Sequence, residues 1–112
     1  MPFLSLGQNW GRREMQAERP ARQIRQGAAI HIRAWGPDSV RLRIAAQSPA
    51  EQCQLDVYSG SQRLASFELQ ATAQEFVTPP LSLTEGDNNV FHLYYNGGCK
   101  VGPIISKLDL VS

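Results

Sequence analysis

The sequence predicts an all-β domain, a small antiparallel two-sheet β-sandwich of jelly-roll or galactose-binding-like type. Two observations favour this fold class. From residue 28 onward, apolar and polar residues alternate with a period of two, and turn signals interrupt the alternation about every ten residues. A strand with one apolar face buries that face only against another sheet, so strands of this kind favour a sandwich. The 112 residues fit a single domain spanning 1–112.

The strands follow one another in regular order. Residues 30–34 and 40–44 alternate on either side of Gly-Pro-Asp-Ser at 36–39, which predicts a β-hairpin, since proline presets φ and aspartate bonds its own backbone. Residues 53–58 and 65–69 flank a Ser-Gly-Ser turn and predict a second hairpin. Further strands are predicted at 76–77, 81–83, 91–95 and 105–110, and Pro79-Pro80 confines the first of these to a sheet edge or ends it outright. The predicted core consists of Ile30, Ile32, Val40, Leu42, Ile44, Leu55, Val57, Phe67, Leu69, Phe91, Leu93 and Leu110.

The N-terminal residues lack the alternation. Residues 11–19 are helix-friendly but carry a weak apolar stripe, and Pro20 would stop a helix there. Residues 1–26 are therefore predicted to be an irregular or short-helical segment packed on the sandwich.

The charge pattern gives little reason to expect nucleic acid as a partner. The formal net charge is +1, although eight of the eleven basic residues lie in the first 43 positions. Arg33, Arg41 and Arg43 would share one face of the first predicted hairpin, close to Trp35. This grouping keeps a nucleic-acid-binding β-barrel as a weaker alternative.

Motifs for catalysis, cofactors and metals are missing from the sequence. The two histidines, His31 and His92, lie mid-strand without a G-x-S-x-G elbow or a glycine-rich phosphate loop. The turn Glu-Gly-Asp-Asn-Asn at 85–89 offers oxygen ligands for calcium, but these are also ordinary hairpin-turn residues, and a turn is the favoured interpretation. We therefore expect a non-enzymatic chain with no cofactor and no metal.

Two cysteines, Cys53 and Cys99, leave the compartment open. They fit a disulfide in an oxidising compartment or a pair of buried thiols in a reducing one. No stretch approaches the ~18 apolar residues of a membrane span, and the first residues lack the pattern of a signal peptide. We expect an extracytoplasmic or extracellular location, with a cytoplasmic one as the alternative because no signal peptide is visible.

Aromatic residues near amide-bearing loops predict a carbohydrate-binding site. The C–H face of a sugar packs on an aromatic ring, while amides, acids and arginines bond its hydroxyls. Tyr94 is the most suggestive platform, because the alternation turns it outward with His92, beside a loop that starts at Asn96. The candidate platforms are Trp10, Trp35 and Tyr94, and the candidate hydroxyl partners are Glu14, Arg22 and Asn96.

These features favour a non-catalytic binding module for carbohydrate or cell-surface glycan. The alternative from another class is a structural or assembly domain that binds a protein partner through a sheet edge or face. The segment 76–83 is the predicted edge for such a partner, because Pro79-Pro80 blocks regular pairing there.

Four segments occur in an order that is typical of one family. They are Trp10-Gly11-Arg12-Arg13-Glu14, the strand–turn–strand at 55–64, Leu-x-Leu-x-x-Gly-x-Asn at 81–88, and Gly98-Cys99-x-x-x-Pro103. In this order they resemble the carbohydrate-binding-module-like β-sandwich at the C-terminus of membrane glycosyltransferases. The resemblance implies a glycan-binding sandwich. The family's long loop with a further cysteine is missing before the last strand, so the resemblance leaves Cys53 as the partner of Cys99.

Overall fold

The computed structural model describes residues 2–16, 19–48 and 52–111, and the secondary structure of these residues is entirely β. The strands are β1 Phe3–Leu6, β2 Trp10–Gln16, β3 Arg19–Ile24, β4 Ala28–Ala34, β5 Asp38–Gln47, β6 Cys53–Ser59, β7 Gln62–Glu68, β8 Gln74–Val77, β9 Leu81–Leu83, β10 Gly86–Gly97 and β11 Ile104–Val111.

Two antiparallel sheets make up the fold. The first has the order β1-β4-β10-β6-β7, and the second has the order β2-β3-β11-β5-β8, with β9 also paired to β5. Most neighbours in these sheets are distant in sequence, as in jelly-roll sandwiches, because the chain crosses repeatedly from one sheet to the other. The predicted all-β sandwich is confirmed.

The core lies between the two sheets and is formed by the predicted alternating faces. Ten of the twelve predicted core residues are buried, and the other two, Phe67 and Leu110, are partly buried and pack against the same cluster. The same cluster also contains Ile24, Leu81, Leu83 and Ile105, together with Ala28, Ala34, Ala46 and Cys53. Most described polar residues on the opposite side of these strands are exposed or half-buried, which is the arrangement that period-two patterning specifies, whereas Asp56 on β6 is buried.

The predicted hairpin of residues 30–44 is wrong. β4 belongs to the five-stranded sheet and β5 to the six-stranded sheet, so the segment 35–37 crosses between sheets and does not join two neighbouring strands. Both strands are fully apolar on one face, and facing each other across the core buries both faces. Arg33 is therefore separated from Arg41 and Arg43, and the basic face considered for nucleic acid does not form.

The N-terminal segment also differs from the prediction. Within residues 2–16 and 19–26 the chain forms strands β1, β2 and β3, and residues 17–18 lie outside the described part. β1 extends the five-stranded sheet beside β4, while β3 pairs with β11 and carries β2 beside it. The weak helix propensity of this segment is overridden because neighbouring strands offer backbone partners along its length.

The second predicted hairpin and the predicted edge are confirmed. β6 pairs with β7 around Gly60, whose φ is +59°. β8 lies before Pro79-Pro80 in the chain and β9 lies after it, and both strands pair with β5. Thr78 keeps the two short strands in line, because its amide donates to the Leu42 carbonyl and its hydroxyl accepts from the Leu42 amide.

A disulfide joins Cys53 at the start of β6 to Cys99 after β10, as the family resemblance implied. Cys53 is completely buried in the core cluster. The bridge fixes the loop 98–103 to the end of the five-stranded sheet, and this end carries the residues described next.

Candidate functional site

The outer face of the five-stranded sheet carries a cluster of aromatic and polar side chains. His31 lies on β4, His92 and Tyr94 lie on β10, and Tyr58 lies on β6. β10 is central, with β4 on one side and β6 on the other. Because side chains alternate across a strand, Phe91 and Leu93 are buried and the residues between and after them face outward, as predicted.

Two tyrosines form the centre of this face. Their rings contact edge to face, with centroids 5.2 Å apart and planes at 81°. Tyr94 is 38% exposed. Among the described residues, neither phenolic hydroxyl has a hydrogen-bond partner. The pair therefore offers both an apolar ring surface and two hydroxyls to a ligand.

Asp56 lies beside the tyrosines and is 2% exposed. Its carboxylate accepts a hydrogen bond from the Ser66 hydroxyl on β7 and another from the Asn96 side-chain amide on β10. A carboxylate only accepts, so Asn96 must turn its Nδ2 towards Asp56 and its Oδ1 away from it. Asn96 is thereby oriented at the exposed surface beside Tyr94.

Gln26 fixes the loop between β3 and β4 against the same end of β10. Its Nε2 donates to the Tyr95 carbonyl at 2.6 Å, and its Oε1 accepts from the Tyr95 amide at 3.0 Å. The next residue, Gly27, has a φ of +75°, and a Cβ there would lie 3.5 Å from the Tyr94 ring. The loop thus packs along one side of Tyr94 and helps to hold its ring in place.

Two open depressions flank Tyr94 on this face. The first, of about 500 Å³, is the tyrosine groove, whose side-chain lining includes Gln26, Asp56, Tyr58, Ser61, Tyr94 and Asn96. The second, of about 400 Å³, is the histidine groove, and Gln26 and Tyr94 also line it. Its further side chains are Gln8, Asn9, Ala29, His31, Val90 and His92.

The other two predicted platforms lie elsewhere. Trp10 begins β2, packs against the core, and donates from its indole Nε1 to the Ala29 carbonyl at 2.8 Å. Trp35 is 62% exposed in the crossing after β4, and the Arg33 guanidinium lies 5.7 Å from its ring centroid. Arg33 is also paired with Asp87, at 3.4 Å. Trp35 therefore lies away from the tyrosines, next to the charged pair Arg33–Asp87.

The predicted hydroxyl partners are also dispersed. Arg22 lies on β3 in the six-stranded sheet, where its Nη1 is 3.5 Å from the Gly11 carbonyl. Glu14 lies on β2, where its backbone pairs with Ala21 of β3, and its side chain lies outside the described part. Of the six predicted site residues, the structure brings together Tyr94 and Asn96.

Sequence reasoning left out Asp56, Gln26 and His92 as site residues. The sequence did contain one signal for Asp56. Because Asp56 lies between the core residues Leu55 and Val57, it is on the outer face of its strand, next to the outward side chains of the neighbouring strand. The neighbour of β6 was not known from the sequence, since three other strands separate β6 from β10 along the chain. Register, and not composition, brings Asp56 opposite Tyr94.

Among the described residues, no group of three His, Cys, Asp or Glu side chains is placed to hold a metal ion. None of the described segments forms a helix with the length and apolarity needed to cross a bilayer.

Similar folds are found among solved structures, but not among protein-family models or curated proteins. No protein-family model and no curated protein matches the chain. Solved structures do match over nearly its full length. A family 35 carbohydrate-binding module from Paenibacillus barcinonensis has a TM-score of 0.62 at 12% identity, over 100% of this chain and 98% of that one.

Two further modules of the same type are similar. One, solved in complex with a disaccharide that contains glucuronic acid, has a TM-score of 0.61 at 19% identity, over 97% of this chain and 92% of that one. The other, from Clostridium thermocellum, has a TM-score of 0.58 at 13% identity, over 100% and 91%. The chain has the fold of a carbohydrate-binding module.

The carbohydrate-binding-module fold agrees with the resemblance noted in the sequence at the level of the domain. The similar structures are themselves described as carbohydrate-binding modules. At these identities the likeness concerns the fold, and residue roles have to be argued from the outer face itself.

Proposed function

We propose that this chain is a non-catalytic carbohydrate-binding module whose ligand lies on the outer face of the five-stranded sheet. The observation that carries the proposal is the Tyr58–Tyr94 pair beside Asn96, which the buried Asp56 carboxylate orients. Tyr94 is the platform for the sugar ring, and Asn96 bonds its hydroxyls. The similar modules of the same fold support the choice of carbohydrate as ligand.

A comparison of two exposed aromatic residues tests this proposal. Tyr94→Ala removes the proposed platform, and Trp35→Ala is the matched control because its ring is more exposed and lies away from the tyrosines. Binding to a glycan array, followed by calorimetry on the glycans that bind, should weaken at least about tenfold in Tyr94→Ala, as expected for a central contact residue. The melting temperature should change little in both variants.

Three outcomes are informative. Loss of binding in Trp35→Ala with retention in Tyr94→Ala would move the platform to the crossing after β4. A large fall in the melting temperature of Tyr94→Ala would show that its ring is needed for packing, and Tyr58→Phe, which removes only a hydroxyl, would then test the face. A blank array would overturn carbohydrate binding.

The location and the larger context are also proposals. The disulfide favours an extracytoplasmic or extracellular location, because such bridges persist in oxidising compartments. Attachment to a membrane glycosyltransferase rests on the sequence resemblance alone. Isolating the native protein from fractionated cells, and measuring its mass and thiol content, tests both.

The alternative function, binding of a protein partner through the edge at 76–83, has one observation in its favour. Val77 is 46% exposed on β8, at the end of the six-stranded sheet. Its neighbour Phe76 stacks on Phe67 instead, with ring centroids 4.9 Å apart, so much of the apolar surface of β8 is already used within the sandwich. Light scattering that shows a defined oligomer together with a blank array would favour this alternative.

A further inference from the structure

The two grooves beside Tyr94 adjoin each other, because Tyr94 and Gln26 line both of them. Together they are called the strip, and a ligand longer than one groove would extend past Tyr94 into the other. Each has a volume within the range of roughly 300–1,000 Å³ in which proteins hold small ligands. The strip therefore has room for a chain of linked units, with Tyr94 at the junction.

The side chains along the strip carry little charge. Neither groove is lined by a lysine or an arginine among the described residues, and the only acid in the lining is Asp56. Arg33 on β4 is paired with Asp87 and faces Trp35, while Arg63, opposite Tyr58 on β7, and Arg25, next to Gln26, belong to neither lining. A carboxylate on a ligand would therefore meet the buried Asp56 with no cation in the groove lining to offset it, which disfavours an acidic sugar.

The polar groups that remain are suited to hydroxyls. Asn96 turns its Oδ1 away from Asp56, and the two tyrosine hydroxyls have no partner among the described residues. Asn9 donates one N–H to the Gly27 carbonyl at 3.3 Å and retains a second donor and an acceptor. Neutral donors and acceptors on both sides of an aromatic ring are matched to a ligand that is rich in hydroxyls and uncharged.

We propose that the strip binds an uncharged oligosaccharide of two or more sugar rings and discriminates against chains that contain uronic acid. This inference rests on the proposed carbohydrate-binding function and names its ligand class.

The test uses neutral and uronic-acid oligosaccharides of matched linkage, from one to four rings, on an array and then by calorimetry. Measurements are made at pH 8, because histidine side chains gain charge in acid. Neutral chains should bind at least tenfold more tightly than their acidic partners. Affinity should rise at least tenfold between one ring and three, as the second groove is filled.

A pair of serine-to-lysine variants tests the origin of the selectivity. Ser61→Lys places a cation in the tyrosine groove at an exposed turn, and Ser82→Lys places the same cation at an exposed position on β9 in the other sheet. Ser61→Lys should reduce the preference for neutral chains at least threefold, and Ser82→Lys should leave it unchanged.

The outcomes separate this inference from the proposed function. Tighter binding of acidic chains, or equal binding of the two classes, overturns the selectivity while carbohydrate binding stands. Equal affinity for one ring and for three overturns binding along the strip. Absence of binding to every glycan overturns both the inference and the proposed function.

Discussion

The Asp56 carboxylate, which is almost fully buried, holds the side-chain amide of Asn96 on the neighbouring strand. Replacing Asp56 with alanine removes the acceptor for two side chains at once. Because hydrogen bonds to charged groups each contribute about 1.5–3 kcal/mol, loss of two of them in Asp56→Ala should lower the free energy of unfolding by about 3–6 kcal/mol. It should also weaken glycan binding, since Asn96 is no longer oriented. Urea unfolding and calorimetry measure the two effects.

Ser66→Ala is the control for that variant. It removes the other donor to Asp56 but leaves Asn96 in place. We expect a smaller loss of stability, about 1.5–3 kcal/mol, and unchanged glycan affinity. Equal losses of affinity in both variants would show that Asp56 acts on the strands as a whole and not through Asn96.

The Cys53–Cys99 bridge closes a loop with a sequence separation of 46. In the chain-entropy account, a cross-link over such a loop stabilises the native state by about 4 kcal/mol. The double variant Cys53→Ala/Cys99→Ala should therefore unfold at a lower urea concentration than the oxidised protein. Adding a reductant should destabilise the native sequence towards the same value and leave the double variant unaffected. A native protein that is indifferent to reductant and titrates with two free thiols would contradict the bridge.

The ion pair between Arg43 and Asp109 makes the free energy of unfolding depend on pH. Arg43 Nε donates to Asp109 Oδ1 at 2.9 Å across β5 and β11, and this hydrogen bond lowers the pKa of Asp109 below its ordinary 3.8, with burial opposing the shift in part. A carboxyl with a lowered folded-state pKa adds stability above its unfolded pKa and loses it as the pH falls through the folded value. The advantage of the native chain over Asp109→Asn should thus be complete above about pH 4 and disappear below it.

The effect of this pair should be small, because the Asp109 side chain is 38% exposed and solvent screens the pair. Glu75→Gln is the control, since Glu75 lies 3.5 Å from the same arginine but is 53% exposed. Unfolding by urea between pH 2.5 and pH 7 gives the comparison. Parallel curves for the native chain and Asp109→Asn would refute the assignment.

Asn89 is a structural residue near the start of β10, in the segment 85–89 for which the sequence favoured a turn over a calcium site. It is 7% exposed, its amide nitrogen lies 2.8 Å from the Thr84 carbonyl and 3.1 Å from the Ile32 carbonyl, and its Oδ1 accepts from the Thr84 amide at 2.9 Å. Asn89→Ala should lower the free energy of unfolding by about 2–3 kcal/mol. Asn88→Ala, at an exposed neighbour, should change it by less than about 0.5 kcal/mol. Similar values for the two variants would contradict this role.

The sequence predicted what alternation can report and missed what depends on pairing between distant strands. Alternation placed Ile30, Leu42 and Leu93 in the core and turned Tyr94 outward, because it identifies the faces of a strand wherever the strand lies. It could not tell that β4 and β5 belong to different sheets, since a hairpin and a crossing between sheets use the same turn residues.

The last strand shows a further limit of alternation. Ile105 is buried, yet Leu108 and Leu110, which differ from it in parity, also pack against the core. A register shift between Ile105 and Lys107 against β5 allows this, because an extra residue in one strand moves all later side chains to the other face. The contact between Asp56 and Asn96 could not be predicted for a similar reason. It depends on the register of β6 and β10, which local sequence patterns do not contain.

The two tryptophans occupy contrasting surroundings, and this gives the protein an internal optical probe. Trp35 stands mostly in water, whereas the Trp10 indole is tied to the Ala29 carbonyl, in the strand segment that forms the floor of the histidine groove. With phenylalanine at position 35, all tryptophan emission would come from Trp10. A ligand that binds over Ala29 would then change the fluorescence of Trp10, which lies beneath the covered surface, so binding could be measured without an attached dye.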